Sequence, residues 1–357
     1  MYAVISEFDS EIQDLESFVK SIGPVNELLG TDQNHHIRSY LTLRRRFDHS
    51  AFIVSLYATF ERYAEGIVAE YAKKLSHFKS YEDLPEALTN KYLQRISFLL
   101  RSQLGEGRYK GVTKYTVTES LYKCLAGEAY ELMPMAVTHH DNNLRMGPLT
   151  SLFKDVGISL FSEIFRKSKD VVEWHRSEGG YEGEFSTIAS RVEARLDDLV
   201  ERRNEIAHRG VSDDLIGQEE MERLIKFIRS LADGIYKVVL GETLREAISS
   251  QAFVASTEII DGPYVKGTVV IVNASKNKLY VGQPFIAIDP AGWAESGNIA
   301  SIQINRGSVQ SVLDFKWSTE IGVGLDRAVV DKSKIFFLYE EESSIWAPIV
   351  GDSLASS

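Results

Sequence analysis

Ile188-Ala189-Ser190-Arg191-Val192-Glu193-Ala194-Arg195-Leu196-Asp197-Asp198-Leu199-Val200-Glu201-Arg202-Arg203-Asn204-Glu205-Ile206-Ala207-His208, followed by Arg209-Gly210, carries the reading of this chain. Ile188, Val192, Leu196, Leu199, Arg203 and Ile206 recur every three or four residues, which predicts a helix starting near Ser186 with one buried face. Glu193, Arg195, Asp197, Asp198, Glu201 and Arg202 interleave on its other faces. Gly210 suits the left-handed residue that stops a helix.

The same period runs through the first two thirds of the chain. Ser6 is read as the cap of a helix carrying Phe8, Ile12, Leu15, Val19 and Ile22, ended by Gly23-Pro24. A long amphipathic segment follows from about His36 to Leu75, with Phe52, Leu56, Phe60, Tyr63, Ile67 and Tyr71 on one stripe. Further helices are expected from Pro85 to Leu104, around Glu119–Ala126, through Leu149, Leu152, Phe153 and Val156, and from Gly217 to Leu240. Gly179-Gly180 and Gly183 mark a mobile loop before the key helix.

Composition then changes. Tyr264–Val272, Phe285–Ile288, Ile299–Ile304, Ile321–Leu325 and Ile335–Tyr339 alternate like short strands, with a turn at Asn305-Arg306-Gly307. The expected architecture is a mainly α N-terminal helical bundle followed by a small all-β barrel. Its division is 1–240 helical, 241–256 linker, 257–345 barrel and 346–357 flexible tail.

Bulk properties bound the function. The 357 residues are 44% hydrophobic and 25% charged, an ordinary globular composition. The single cysteine, Cys124, excludes an intrachain disulfide framework or a cysteine zinc site, and is read as core. No secretory leader and no apolar run of membrane-spanning length is visible, so the expected setting is cytoplasmic. Net charge is −11, with −4 of it in residues 251–357, so neither part is basic. That argues against a DNA or RNA coat protein and confines any RNA chemistry to a local cationic site.

Arg203, Asn204 and His208 form such a site. Arginine is a permanent cation that matches a phosphate; histidine moves a proton near neutral pH. Arg203 and His208 are five residues apart, about 140° around an ideal helix, whereas Asn204 and His208 share a face. Two readings stand on the residues alone. In one, Arg203 pairs with Glu201 or Glu205 while His208 caps the helix end, favoured by the macrodipole. In the other, the three serve a polar pocket between helices or subunits. Glu61 is singled out as an acid able to hold Arg203 or His208 from a neighbouring helix, beside the alternative of a solvent-side charge.

Other candidates carry less. His139-His140-Asp141 and His35-His36 invite a metal, but adjacent residues point apart and no thiol completes a set; neither metal nor cofactor is expected. Arg44-Arg45-Arg46 suits either an RNA backbone or a solvated face with Asp48. No phosphate-loop motif is present, so nucleotide hydrolysis would need a partner.

Leu199–His208 closely resembles the signature of the HEPN superfamily of helical ribonucleases: arginine, a polar residue, a few spacers, histidine. The similarity extends to Leu56-Tyr57-Ala58-Thr59-Phe60-Glu61, to Asn143-Leu144-Arg145, and to Leu152-Phe153 with Val156-Gly157-Ile158. These segments, in order over about residues 1–240, look like the MAE-type branch found in bacterial conflict systems. The resemblance implies metal-independent cleavage of single-stranded or looped RNA by a homodimer. His208 would act on the 2′-hydroxyl or the leaving oxygen, Arg203 would stabilise the phosphate and Asn204 would orient, with Glu61 and Glu205 in support. The products would be a 2′,3′-cyclic phosphate and a 5′-hydroxyl. HEPN partners of nucleotidyltransferase antitoxins carry a tyrosine two residues after the histidine; here that position is Gly210, which puts that regulation in doubt.

More weakly, Val281-Gly282-Gln283-Pro284-Phe285, Ile299–Val312 and Glu320–Asp326 resemble the second-domain barrel of translation elongation factors. That implies a link to tRNA or the ribosome, beside a plain packing role. Two other functions stay open: a non-catalytic adaptor binding a partner protein, RNA or nucleotide, and a translation-associated binding protein working through the barrel.

Overall fold

The computed structural model describes residues 1–338 apart from 31–34, 160, 167, 179–184, 211–213, 251–255, 258, 274–278, 291–292, 306 and 313–319. The chain divides into two units, Ala3–Val239 and Leu240–Ser357. The expected loop at Gly179-Gly180 and Gly183, residue Tyr339 and the tail 346–357 lie outside the described residues.

The first unit is helical. Its elements are α1 (Tyr2–Gly30), α2 (His35–Phe78), α3 (Glu86–Arg101), α4 (Lys114–Leu125), α5 (Pro134–Val137), α6 (Met146–Asp155), α7 (Phe161–Arg166), α8 (Lys169–Ser177), α9 (Phe185–Arg209) and the start of α10 (Gln218–Ser249). The stripe predicted on α2 is buried at every position, from Phe52 through Leu56, Phe60, Tyr63 and Ile67 to Tyr71. Ile188, Val192, Leu196, Leu199 and Ile206 of α9 are buried likewise, and α2 packs directly on α9. Phe153, Phe161 and Phe165 stack in series, with centroids 4.1 and 5.3 Å apart, tying α6 to α7.

Three expectations are corrected. The first helix starts at Tyr2, before Ser6, and does not stop at Gly23-Pro24: Pro24 lies inside α1. Proline removes one backbone donor, that facing the Lys20 carbonyl, and the helix resumes beyond it. The segment read as a linker, 241–256, is helical through Ser249. Thr243, Leu244 and Ala247 are buried there, so the apolar stripe of α10 continues past Leu240. Thr113 caps α4 in a reciprocal pair with Thr116, so that helix begins at Lys114, five residues before the expected start.

The second unit carries a curled antiparallel half-barrel. Its strands are β1 (Ser256–Thr257), β2 (Ile259–Tyr264), β3 (Val269–Asn273), β4 (Leu279–Tyr280), β5 (Pro284–Ile288), β6 (Ala294–Ile304), β7 (Gly307–Val309), β8 (Ser311–Val312), β9 (Glu320–Leu325) and β10 (Lys334–Phe337). The main order is β1-β10-β5-β6-β9-β3-β2, with β7 on β6, and β4 pairs β8. β6 is long enough to pair with both β5 and β9, which lets one sheet curl over a core of Val270, Val272, Phe285, Ile299, Ile321, Val323 and Phe337. Either side of the expected turn, Ile304 faces Gly307 and Asn305 takes the left-handed backbone, φ 48°; Arg306 lies outside the described residues. Gln283 is buried with its amide used at both ends, accepting from the Tyr280 N–H at 3.1 Å and donating to the Leu338 carbonyl at 3.2 Å.

Candidate functional site

The last turns of α9 present Arg203 and Asn204 half-buried and His208 exposed. Gly210 ends the helix with φ 79°, and its N–H donates to the Ile206 carbonyl at 2.7 Å. An L side chain there would be strained, so the glycine stops the helix just after His208.

Charge pairing along α9 is selective. Arg195 pairs with Glu220, Arg202 with Asp198 at 3.0 Å and Asp214 at 2.9 Å, and Arg209 with Glu205 at 3.0 Å. Glu201 is held by Arg145, which also reaches Asp197 at 3.0 Å. The two carboxylates expected to neutralise Arg203 are therefore occupied elsewhere. Among the described residues Arg203 has no carboxylate partner. Its guanidinium lies over the Tyr57 ring, 5.5 Å from the centroid, and donates to Asn204 Oδ1 at 3.3 Å.

Asn204 Oδ1 also accepts from Asn143 Nδ2 at 2.7 Å. With two donors on its oxygen, Asn204 makes no hydrogen bond through its own Nδ2 among the described residues. Among the described residues His208 makes no hydrogen bond or ion pair, so its imidazole is open to solvent.

Tyr57 is the floor of the site. It is 1% exposed; its hydroxyl accepts from the Leu144 N–H at 2.7 Å and donates to Glu61 Oε1 at 3.0 Å. Burial, then the Glu61 carboxylate, push the phenol's pKa far upward, so it stays neutral. Glu61 thus touches Tyr57 and lies 3.9 Å from His140 Nε2; it holds neither Arg203 nor His208 directly. Tyr57→Phe is expected to leave the buried Leu144 amide unpaired and to cost about 1–3 kcal/mol of stability, measured by urea denaturation. An unchanged midpoint would remove Tyr57 as the anchor.

His49 is fully buried with Arg202, Asp214, Arg45 and Glu205 as its charged neighbours, and His175 is 1% exposed elsewhere in the helical unit. Burial first, then Arg202 for His49 and Arg191 for His175, lower their pKa values. Each unfolded imidazole therefore binds a proton more readily than the folded one, and below the unfolded value of about 6.5 folding loses stability as pH falls. Denaturation midpoints are expected to drop between pH 7 and pH 5, and to drop less in His49→Leu; an equal drop in both proteins would contradict this.

Tyr57, Asn143 and Arg145 are neighbours of the site that chemical type alone did not pick out, and they sit in two of the segments carrying the resemblance, Leu56–Glu61 and Asn143–Arg145; His140 entered only as part of a metal candidate. Arg44 pairs with Asp48 at 3.1 Å, and both side chains are half-buried. His139 contacts Asp141 at 3.0 Å, and among the described residues no cluster of three metal-ligating side chains occurs. Burial pushes the Cys124 thiol up to about 11, which suits a core residue.

A family model described as RiboL-PSP-HEPN matches residues 6–241, well over half of the chain. The protein is a member of the RiboL-PSP-HEPN family. The match covers every element that builds the site, from α1 to the larger part of α10. No curated protein matches the chain. Among the described residues of this HEPN protein, no helix is long and apolar enough to cross a membrane.

Proposed function

We propose that this HEPN protein is a metal-independent endoribonuclease that cuts single-stranded or looped RNA by attack of the ribose 2′-hydroxyl. The observation that carries the proposal is the Arg203 charge: half-buried, without a carboxylate partner among the described residues, and beside the Asn204 amide and an exposed imidazole. A phosphate supplies the missing anion. Arg203 then stabilises the charge that builds on the phosphoryl oxygens, Asn204 orients them, and His208 takes the 2′-proton or protonates the leaving 5′-oxygen. The bond between phosphorus and the 5′-oxygen breaks as that to the 2′-oxygen forms, leaving a 2′,3′-cyclic phosphate.

The working form is a homodimer. Tyr40, Leu43, Phe47 and Val54 are 55%, 55%, 62% and 40% exposed and fall within about 60° on α2. This apolar stripe ends one turn from Tyr57, so a partner seated on it stands beside Arg203. The setting is bacterial defence or growth arrest, as the quoted MAE-type segments suggest, and the half-barrel serves as a packing or RNA-presenting module. A non-catalytic adaptor would be favoured by Arg203 and His208 locked in satisfied pairs, which is not the arrangement described. RNA recovered from cells expressing wild type or His208→Ala tests the proposal: fragments with cyclic phosphate ends in the wild type alone are expected. Equal RNA profiles would overturn it.

A further inference from the structure

Contacts from four residues pin the segment 140–145 against the site. His140 Nε2 lies 3.1 Å from Glu65 Oε1 and 3.9 Å from Glu61 Oε1, both on α2. The Asn143 side chain donates to Asn204 on α9. The Leu144 N–H donates to the Tyr57 hydroxyl on α2, and Arg145 pairs with Asp197 and Glu201 on α9. At the other ring nitrogen, His140 Nδ1 meets the Asn142 carbonyl at 2.7 Å, which folds the segment back on itself. The preceding turn is held separately, by Asp141 with His139 at 3.0 Å and Arg95 of α3 at 3.2 Å.

The contacts differ in permanence. Arg145 keeps its charge at every working pH. His140 is charged only when protonated; its Nε2 then faces the carboxylates as an ion pair, by distance rather than by hydrogen-bond geometry, while Nδ1 donates to the Asn142 carbonyl. The neutral ring can keep the donation to the carbonyl but loses the ion pair. Its side chain is 16% exposed and those of Glu61 and Glu65 are 27% and 25% exposed, so the carboxylates are only partly screened by water.

We propose that His140 is a positioning residue that latches residues 140–145 onto α2, so that Asn143 holds Asn204 in the orientation an RNA phosphate requires. The inference rests on the reading of Arg203, Asn204 and His208 as the cleavage site, and gives that site a proton-dependent regulation. Glu65 first, and the Asn142 carbonyl and Glu61 after it, raise the imidazole's pKa against the opposing effect of burial. A group raised in the folded state stabilises fully below the unfolded value, about 6.5, and loses that contribution as pH rises through the folded value. The latch is therefore closed in mild acid and relaxes as pH rises through the raised value.

Hydrogen exchange of the Leu144 amide reports the latch without any RNA. Corrected for intrinsic rates, His140→Gln is expected to exchange about tenfold faster than wild type at pH 6, the size of a lost charge-assisted contact. His140→Arg, a permanent cation, is expected to restore protection and to hold it at pH 8, where the wild type loses part of its own. Single-turnover cleavage of an RNA oligonucleotide should follow the same order, with the alkaline loss flattened in His140→Arg. Wild-type exchange rates in His140→Gln overturn the latch, whatever the nuclease result. An enzyme whose cleavage survives Arg203→Ala overturns the site reading, and the exchange order then decides whether the latch stands.

Discussion

Arg203→Ala is expected to slow RNA cleavage by at least about a hundredfold while leaving the protein folded. Removing a preorganised donor from a charge-developing site costs roughly 10²–10³ in rate. Arg203 is the α9 arginine whose charge faces Tyr57 and Asn204 rather than a carboxylate. Its loss forfeits one cation–π contact, about 0.5–2 kcal/mol, and uncovers no buried anion. Arg203→Lys should recover little, because an ammonium lacks the planar fork that meets two phosphate oxygens. His208→Ala should fall by about 10²–10⁴, the usual contribution of a positioned proton donor or acceptor. Its exposed side chain makes the stability cost small. Single-turnover rates together with melting curves test this. Arg203→Ala cutting within threefold of wild type, while folded, would sink the assignment.

The second large effect concerns assembly. Leu43→Glu with Phe47→Glu places two carboxylates in the apolar stripe of α2, where exposure of 55% and 62% shows that neither side chain supports the monomer's core. Burying unpaired charge in an apolar interface costs several kcal/mol. The dissociation constant of the proposed dimer is therefore expected to rise by at least about a hundredfold, and cleavage to fall in proportion at dilute protein. Sedimentation velocity alongside activity reads both. A fully active monomer would detach the reaction from the dimer; an unchanged dimer would move the interface elsewhere.

Sequence reading was strongest where local order decides structure. The stripes of α2 and α9 are long and regular, so burial followed period, and Gly210 took the left-handed backbone its position requires. It erred where a local signal was outweighed. Pro24 signalled a stop that α1 does not make, and Gly241-Glu242 hid the continuation of α10 toward Leu244 and Ala247. Within the site, residue type found Arg203, Asn204 and His208, but their supports lie far away in the chain. Leu144 meets Tyr57 across 87 residues and Asn143 meets Asn204 across 61. Periodicity carries no information over such distances. The same applies in part to Arg203's lack of a carboxylate partner among the described residues: Glu205 is taken by Arg209 one turn on, a pair open to sequence reading, whereas only tertiary packing gives Glu201 to Arg145.

Incubating the purified protein with an RNA oligonucleotide in excess EDTA, then determining the ends of every fragment, tests the central claim most directly. The account predicts cleavage that persists without metal, 2′,3′-cyclic phosphate and 5′-hydroxyl ends, and no product when the scissile ribose is 2′-deoxy or when His208 is alanine. Cleavage that requires added metal, leaves 3′-hydroxyl ends or survives His208→Ala would contradict it.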